Sequence, residues 1–304
     1  MAGSLFLIPV SYADDADNHR HNAIIVRSRP VIERLPVQVI HPVDVIVNEL
    51  GETLIADDVG QVLFRIDADG ETGIPGEKLP GISRVVDSGT LGIHVLTVEQ
   101  RSGRILRLTD NGFQSEVIEF AFLPTGLGVN SAGHLWTTNS ATGEVVLINE
   151  NGEAKTVARL SEVAKDITAD GMGAVVLLKS GKIVAVGAGG DTTRPIGYVP
   201  QTATRLRIGV DGSVVALAID GDGRSVLVRP GSNASTVERF AGTPSGTSAF
   251  AFDRLGNLTL ANPELRAVTR VTSHFTIPCP HCGQPVPMVF SPDAPAEQRS
   301  RRSF

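Results

Sequence analysis

PTGLGVNSAGHLWTTNSATGEVVLINENG, residues Pro124 to Gly152, carries the pattern that decides the architecture. A short apolar run ends at Asn130, Gly133 turns the chain, and HLWTT leads to Asn139. Gly143 turns it again, and EVVLI runs out to Asn149. β-Branched and aromatic residues fill the runs, while Gly, Asn and Ser collect between them, as in successive antiparallel hairpins.

The same unit recurs on both sides. First strands with polar ends read VIVN to Asn48, RVVD to Asp87, LGVN to Asn130, ITAD to Asp170, IGVD to Asp211 and FAFD to Asp253. These end residues are spaced by 39, 43, 40, 41 and 42 positions. A period in the low forties is that of a four-stranded propeller blade. Second strands follow, ending at Asp57, Glu99, Asn139, Lys179, Asp220 and Asn262, and third strands such as VLFRID and EVVLIN come next. Outer strands are legible in VIEFAFL, TVARL, IGYV and TVERFAG. The sixth unit stops at Thr272 with no fourth strand after it, whereas Val31 to Val45 matches Thr236 to Phe250 in rhythm. The N-terminal strand is therefore expected to complete the last blade, which would protect edges otherwise open to aggregation. The chain is expected to be all-β, a six-bladed β-propeller over residues 23–272, with residues 1–22 ahead of it and an irregular tail over 273–304.

Pro124 to Gly152, and less closely HPVDVIVNELGETLIADDVGQVLFRIDADG (His41 to Gly70), resemble the NHL and SMP-30/YVTN-like propeller families. The resemblance spans about residues 31 to 272 and is specific for the fold. It implies that lactonases similar to SMP-30 hold a divalent metal through a Glu of the first inner strand with Asn and Asp from other blades. Here that strand begins His41-Pro42-Val43-Asp44 without Glu, so Asp44 would replace it beside Asn139 and Asp220. The Trp136 segment also resembles streptogramin-lyase-like blades, whose chemistry depends on channel His and Glu residues. His94 and His134 lie in second strands, and no matching His–Glu set is expected at the blade mouths.

Composition bounds the partners. The 304 residues carry a net charge of −6, which disfavours tracking a phosphate backbone, so nucleic acid is not expected. No run approaches the length needed for a membrane-spanning helix. Met1 to Ala13 combines a short apolar run with a small-x-small ending, but no Lys or Arg precedes it. Residues 1–22 read either as a truncated signal peptide, implying a periplasmic or secreted protein, or as an unstructured lead compatible with the cytoplasm.

Site residues follow from the propeller itself. Loops before each first strand and after each second strand gather on one face around the channel. That face collects Asp44, Asp57, Glu99, Asn139, Asp166, Lys179, Asp220 and Asn262, with His41, Arg84, Lys165, Arg205 and Arg207 near the first-strand starts. Converging oxygens would suit a divalent cation such as Ca²⁺ or a polar small molecule. Asp and Asn at these places also serve as turn caps. No nucleophile, base and orienting group assemble in the sequence, so the expected role is non-enzymatic: binding a protein or small-molecule ligand on the channel face. The alternative is a metal-dependent hydrolase or lyase of the SMP-30/gluconolactonase type.

Outside the propeller, Ile-Pro-Cys279-Pro-His-Cys282-Gly resembles a zinc-ribbon knuckle. A closed zinc site needs four ligands, and Cys279 and Cys282 are the only cysteines in the chain. His274 is a candidate third ligand, and a second chain would supply the rest. A disulfide and a knuckle without metal remain the other readings. If zinc binds, it should bring two chains together. Light scattering is expected to show zinc-dependent dimers that a Cys279→Ser, Cys282→Ser double variant does not form.

Overall fold

The computed structural model describes residues 31–272 except 68, 74–77, 90–91, 109–113, 172, 191–192 and 234–235, together with four short strands near the chain ends. Glu33–Arg270 makes one compact unit, and no α-helix occurs among the described residues. Six four-stranded antiparallel sheets follow one another along the chain.

The first blade comprises Pro42–Val47, Thr53–Asp57, Val62–Ile66 and the two-residue strand Thr72–Gly73. The second runs through Ile82–Asp87, Ile93–Glu99, Ser102–Leu108 and Gln114–Phe120. Gly128–Val129, Leu135–Thr138, Glu144–Ile148 and Ala154–Arg159 form the third. The fourth is Ala164–Asp170, Gly173–Leu178, Lys182–Gly187 and Thr193–Tyr198. Arg205–Ile208, Val214–Ile219, Ser225–Arg229 and Glu238–Gly242 make the fifth. The last blade has Ala249–Phe252, Leu258–Asn262 and Ala267–Thr272 from the C-terminal side, and Val31–Arg34 as its outer strand.

The repeated polar residues at the ends of first strands have a common task. Asn48 Oδ1 accepts from the Leu50 and Glu52 amides at 3.0 and 2.9 Å, and Asn130 Oδ1 does the same for Ala132 and His134 at 3.1 and 3.0 Å. Asp253 repeats it with Leu255 and Asn257 at 2.9 and 2.8 Å. Each side chain satisfies two turn amides that the hairpin leaves without strand partners. A second recurrent demand lies between the second and third strands. There Gln61, Gln100 and Arg266 adopt positive φ where Gly143, Gly181 and Gly223 stand in other blades. The turn geometry is held even where the sequence does not supply glycine.

Apolar packing sits between neighbouring blades. One cluster joins Val175, Leu177 and Ile183 of the fourth blade to Leu206, Ala216 and Val226 of the fifth. Another joins Leu54 and Leu63 of the first to Val85 and Val95 of the second. Closure is packed in the same way. Leu35, Val37 and Val39, just after the N-terminal strand, lie buried with Val45, Ile55, Ala249 and Val268. The Leu35 amide also donates to Val268 O at 2.9 Å.

The chain ends contribute a second unit, in which Phe6–Leu7 pairs with Ile24–Ile25 and Thr276–Pro278 with Pro285–Pro287. The tail therefore contains a short ribbon despite its prolines. His274, Cys279 and Cys282 lie outside the described residues, as do most of residues 1–22.

The closure makes a directional expectation. Leu35→Ala should destabilise the propeller by about 2–5 kcal/mol, the usual cost of emptying a buried leucine site. Ile32→Ala, in the same segment but 68% exposed, should stay within about 0.5 kcal/mol. Urea melts of the two variants compare them directly.

Candidate functional site

Three inner strands are bulged at the same place. Register shifts fall between Pro42 and Asp44, between Ile82 and Arg84, and between Ala164 and Asp166. A bulge re-aims the side chain beside it. In all three blades the residue that follows is charged and buried: Asp44 is 0% exposed, Arg84 6% and Asp166 0%. The fifth blade adds Arg205 and Arg207, alternate residues of one strand and so on one face of it.

Four of these side chains pair with one another across the ring, and Arg205 reaches a backbone carbonyl there. Asp166 Oδ1 accepts from Arg84 Nη2 and Nε at 3.2 and 3.3 Å, while its Oδ2 accepts from the Leu206 amide of the next blade at 2.8 Å. Asp44 pairs with Arg207 and accepts from the Val85 amide of its own next blade at 3.0 Å. The two halves repeat: an aspartate of one blade grips the following blade's backbone and a guanidinium from a blade that is not its neighbour. Arg84 also donates to Ser83 O and Thr125 O, and Arg205 to Thr204 O and Val43 O. Gly126 makes room in the third blade, since a Cβ there would lie 2.7 Å from Asp166 Oδ1 and 2.8 Å from the Ile167 amide. Arg205 is brought down to a pKa of about 10. Removal of its head group from water is the chief cause and nearby Arg84 the next, against the pull of Asp166 and Asp44.

The ring of second-strand ends does something else. Asp57, fully buried, accepts from the Ile40, His41 and Gly60 amides and so fastens the lead into the first blade to the loop beyond it. Asn139 accepts from Ala141 and Thr142 amides at 2.9 and 3.3 Å. Asp220 accepts from the Asp222 and Arg224 amides at 3.0 and 2.9 Å and stands 3.6 Å from Arg239. The Arg224 amide above all, then the Asp222 amide and Arg239, hold its carboxyl below the usual range. Asn262 donates to Ser245 O at 2.7 Å and accepts from the Leu265 amide at 2.9 Å. Glu99 pairs with Arg104 at 2.7 Å on the surface, and Lys179 is exposed.

A divalent cation needs several oxygen ligands with free lone pairs. Asp44 and Asp166 are each engaged by a guanidinium and an amide, and Asp57, Asn139 and Asp220 by turn amides. Among the described residues no three His, Cys, Asp or Glu side chains come together in a metal-holding group. The channel residues do not fit a divalent cation.

One arrangement was not legible in the sequence. At the mouth of the first blade, His41 Nδ1 lies 2.7 Å from Asp58 Oδ1, with side chains 46% and 37% exposed. The Asp58 amide donates to His41 O, and Asp57 anchors the His41 amide, so this pair is fixed from both sides. Arg205 reaches Val43 O at 3.3 Å, two residues along the chain from His41, or about 7 Å for extended backbone. The only advance signal was an Asp-Asp pair directly after a second strand and a His directly before a first. At the opposite end of the sheets, a cleft lined by His94, Arg107, Glu116 and Asn149 separates the second and third blades. His94 is held at a pKa of about 4 by burial and then by Arg107, and its Nδ1 lies 2.9 Å from Ser88 Oγ.

Breaking one partner of a buried pair strands the other charge. Asp166→Asn should cost about 3–5 kcal/mol, and adding Arg84→Met should recover a large part of that loss. A double-mutant cycle read by chemical denaturation measures the coupling.

No protein-family model and no curated protein matches the sequence. Solved structures match across most of the chain. A gluconolactonase from Xanthomonas campestris has 14% identity and a TM-score of 0.64, covering 90% of this chain and 98% of its own. Virginiamycin B lyase from Staphylococcus aureus has 17% identity and a TM-score of 0.57, covering 80% and 99%. A luciferin-regenerating enzyme has 13% identity and a TM-score of 0.58, covering 80% and 95%. At these identities the likeness carries the fold. These three structures are named as enzymes, which stands against the expectation of a non-enzymatic binding propeller. The chain is a six-bladed β-propeller with structural neighbours of the gluconolactonase and virginiamycin B lyase type.

Proposed function

We propose that this chain is a hydrolase or lyase that opens an ester-like bond, a lactone foremost, at the channel mouth of the first blade. The observation that carries the reading is the His41 Nδ1 to Asp58 Oδ1 contact of 2.7 Å. With Nδ1–H donating to the carboxylate, Nε2 keeps its lone pair free and the ring is fixed in that tautomer. Such a base takes a proton from water as the water oxygen adds to the carbonyl carbon. It returns the proton to the departing alkoxide when the C–O bond breaks. In the lyase version the same nitrogen removes a proton from the carbon beside the one that bears the ester oxygen; a C=C bond forms as the C–O bond breaks, and the carboxylate leaves. Both routes build negative charge on oxygen. Arg205 supplies a fixed positive charge in a poorly solvated place, where such charges act most strongly. The gluconolactonase and lyase names among the structural neighbours support this choice of bond.

Turnover of gluconolactone, other small lactones and simple esters should be detectable by acid release. His41→Gln and Asp58→Asn should each lower kcat by roughly 10²–10⁴-fold, the range for loss of a positioned base. Both residues are partly exposed, so melting temperatures should barely move. A panel with no turnover, or unchanged kcat in His41→Gln, would sink the reading.

A further inference from the structure

Three guanidinium groups and two carboxylates make up the channel network, which leaves one positive charge unbalanced. Arg207 and Arg84 are paired with aspartates. Arg205 forms no ion pair among the described residues, and its hydrogen bonds go to the carbonyl oxygens of Thr204 and Val43 at 3.2 and 3.3 Å, both long. Its Nε–H is buried without an acceptor, and so is that of Arg207 two residues on. A buried N–H left unmade and a desolvated cation left without a counter-charge are both costly. Arg205 nevertheless keeps part of its surface exposed.

We infer that Arg205, with Arg207 beside it, is a subsite for the carboxylate of a small organic acid. A single negative charge balances the single surplus positive one. The two oxygens of a carboxylate match the edge that Nε and one Nη of a guanidinium present, a fit that chloride lacks. The long contacts to Thr204 O and Val43 O give the Arg205 head group little to lose in turning that edge outward. A doubly charged phosphate would leave the network one charge negative. This deepens the reading above, on which it rests for the origin of the acid: hydrolysis of an ester or lactone releases a carboxylate at this place.

The test needs no turnover, so the two ideas fail separately. Melting temperatures of the full chain are compared in acetate, inorganic phosphate and chloride at equal ionic strength and pH 7. Acetate should raise the wild-type value by at least about 2 °C over chloride, a shift readily resolved for a domain of this size. Arg205→Met should lose the acetate shift and melt no lower than wild type in chloride. Arg205→Lys keeps the charge without the fork and should retain at most part of the shift, which serves if the methionine variant does not fold. Absence of an acetate-specific shift in wild type, an equal shift in Arg205→Met or in Arg205→Lys, or a larger shift with phosphate would overturn the subsite. An acetate shift that survives in a His41→Gln protein devoid of turnover would uphold it.

Discussion

Two aspartates tie this ring together through its middle. Asp44 and Asp166 each hold the backbone of the next blade and a guanidinium from a non-adjacent one, so four blades are linked at the channel. Apolar contact acts only between neighbours, as the blade-to-blade clusters show. Across the ring the contacts are the two ion pairs and the Arg205 hydrogen bond to Val43 O. Buried charge pairs contribute little net stability compared with apolar packing, but each demands its partner at a set distance. Their effect is to specify which blades face one another. The bulges at Asp44, Arg84 and Asp166 and the missing side chain at Gly126 are the local features that let the charges meet.

The same network decides what chemistry the channel can do. Carboxylates committed to guanidinium groups have few lone pairs left for a metal. What the channel offers is fixed positive charge with too few counter-charges, which favours anions and transition states that develop negative charge. The His41–Asp58 pair is partly exposed at the rim, whereas Arg84 is buried and Arg205 and Arg207 are half-buried.

The fold was legible because its signal is repetition. Six polar strand ends at nearly equal spacing report the turn each blade must make, and every blade reports it independently. The site was far less legible. Asn139, Asp220 and Asn262 looked like converging ligands because turn caps and metal ligands draw on the same residue types, and here backbone amides occupy them. The channel pairs were hidden for a different reason. Residues 44 and 207, or 84 and 166, meet only because a ring brings non-consecutive blades face to face, and no local pattern encodes that. His41 and Asp58 were separated in the sequence by a full hairpin, so their contact needed the first two strands in register.

Placing Val31–Arg34 beside Ala267–Thr272 has a consequence for how the molecule is made. A ribosome delivers the outer strand of the last blade first and its three inner strands last. Until the sixth repeat emerges, the N-terminal strand has no sheet to join, and Leu35, Val37 and Val39 have half of their packing partners missing. Whatever blades have formed before then, the last sheet cannot take up its outer strand until the sixth repeat is made. The link between Asp44 and Arg207 is likewise delayed until the fifth repeat exists. Completion of this protein is thus read out at a single seam, where its oldest and newest strands meet.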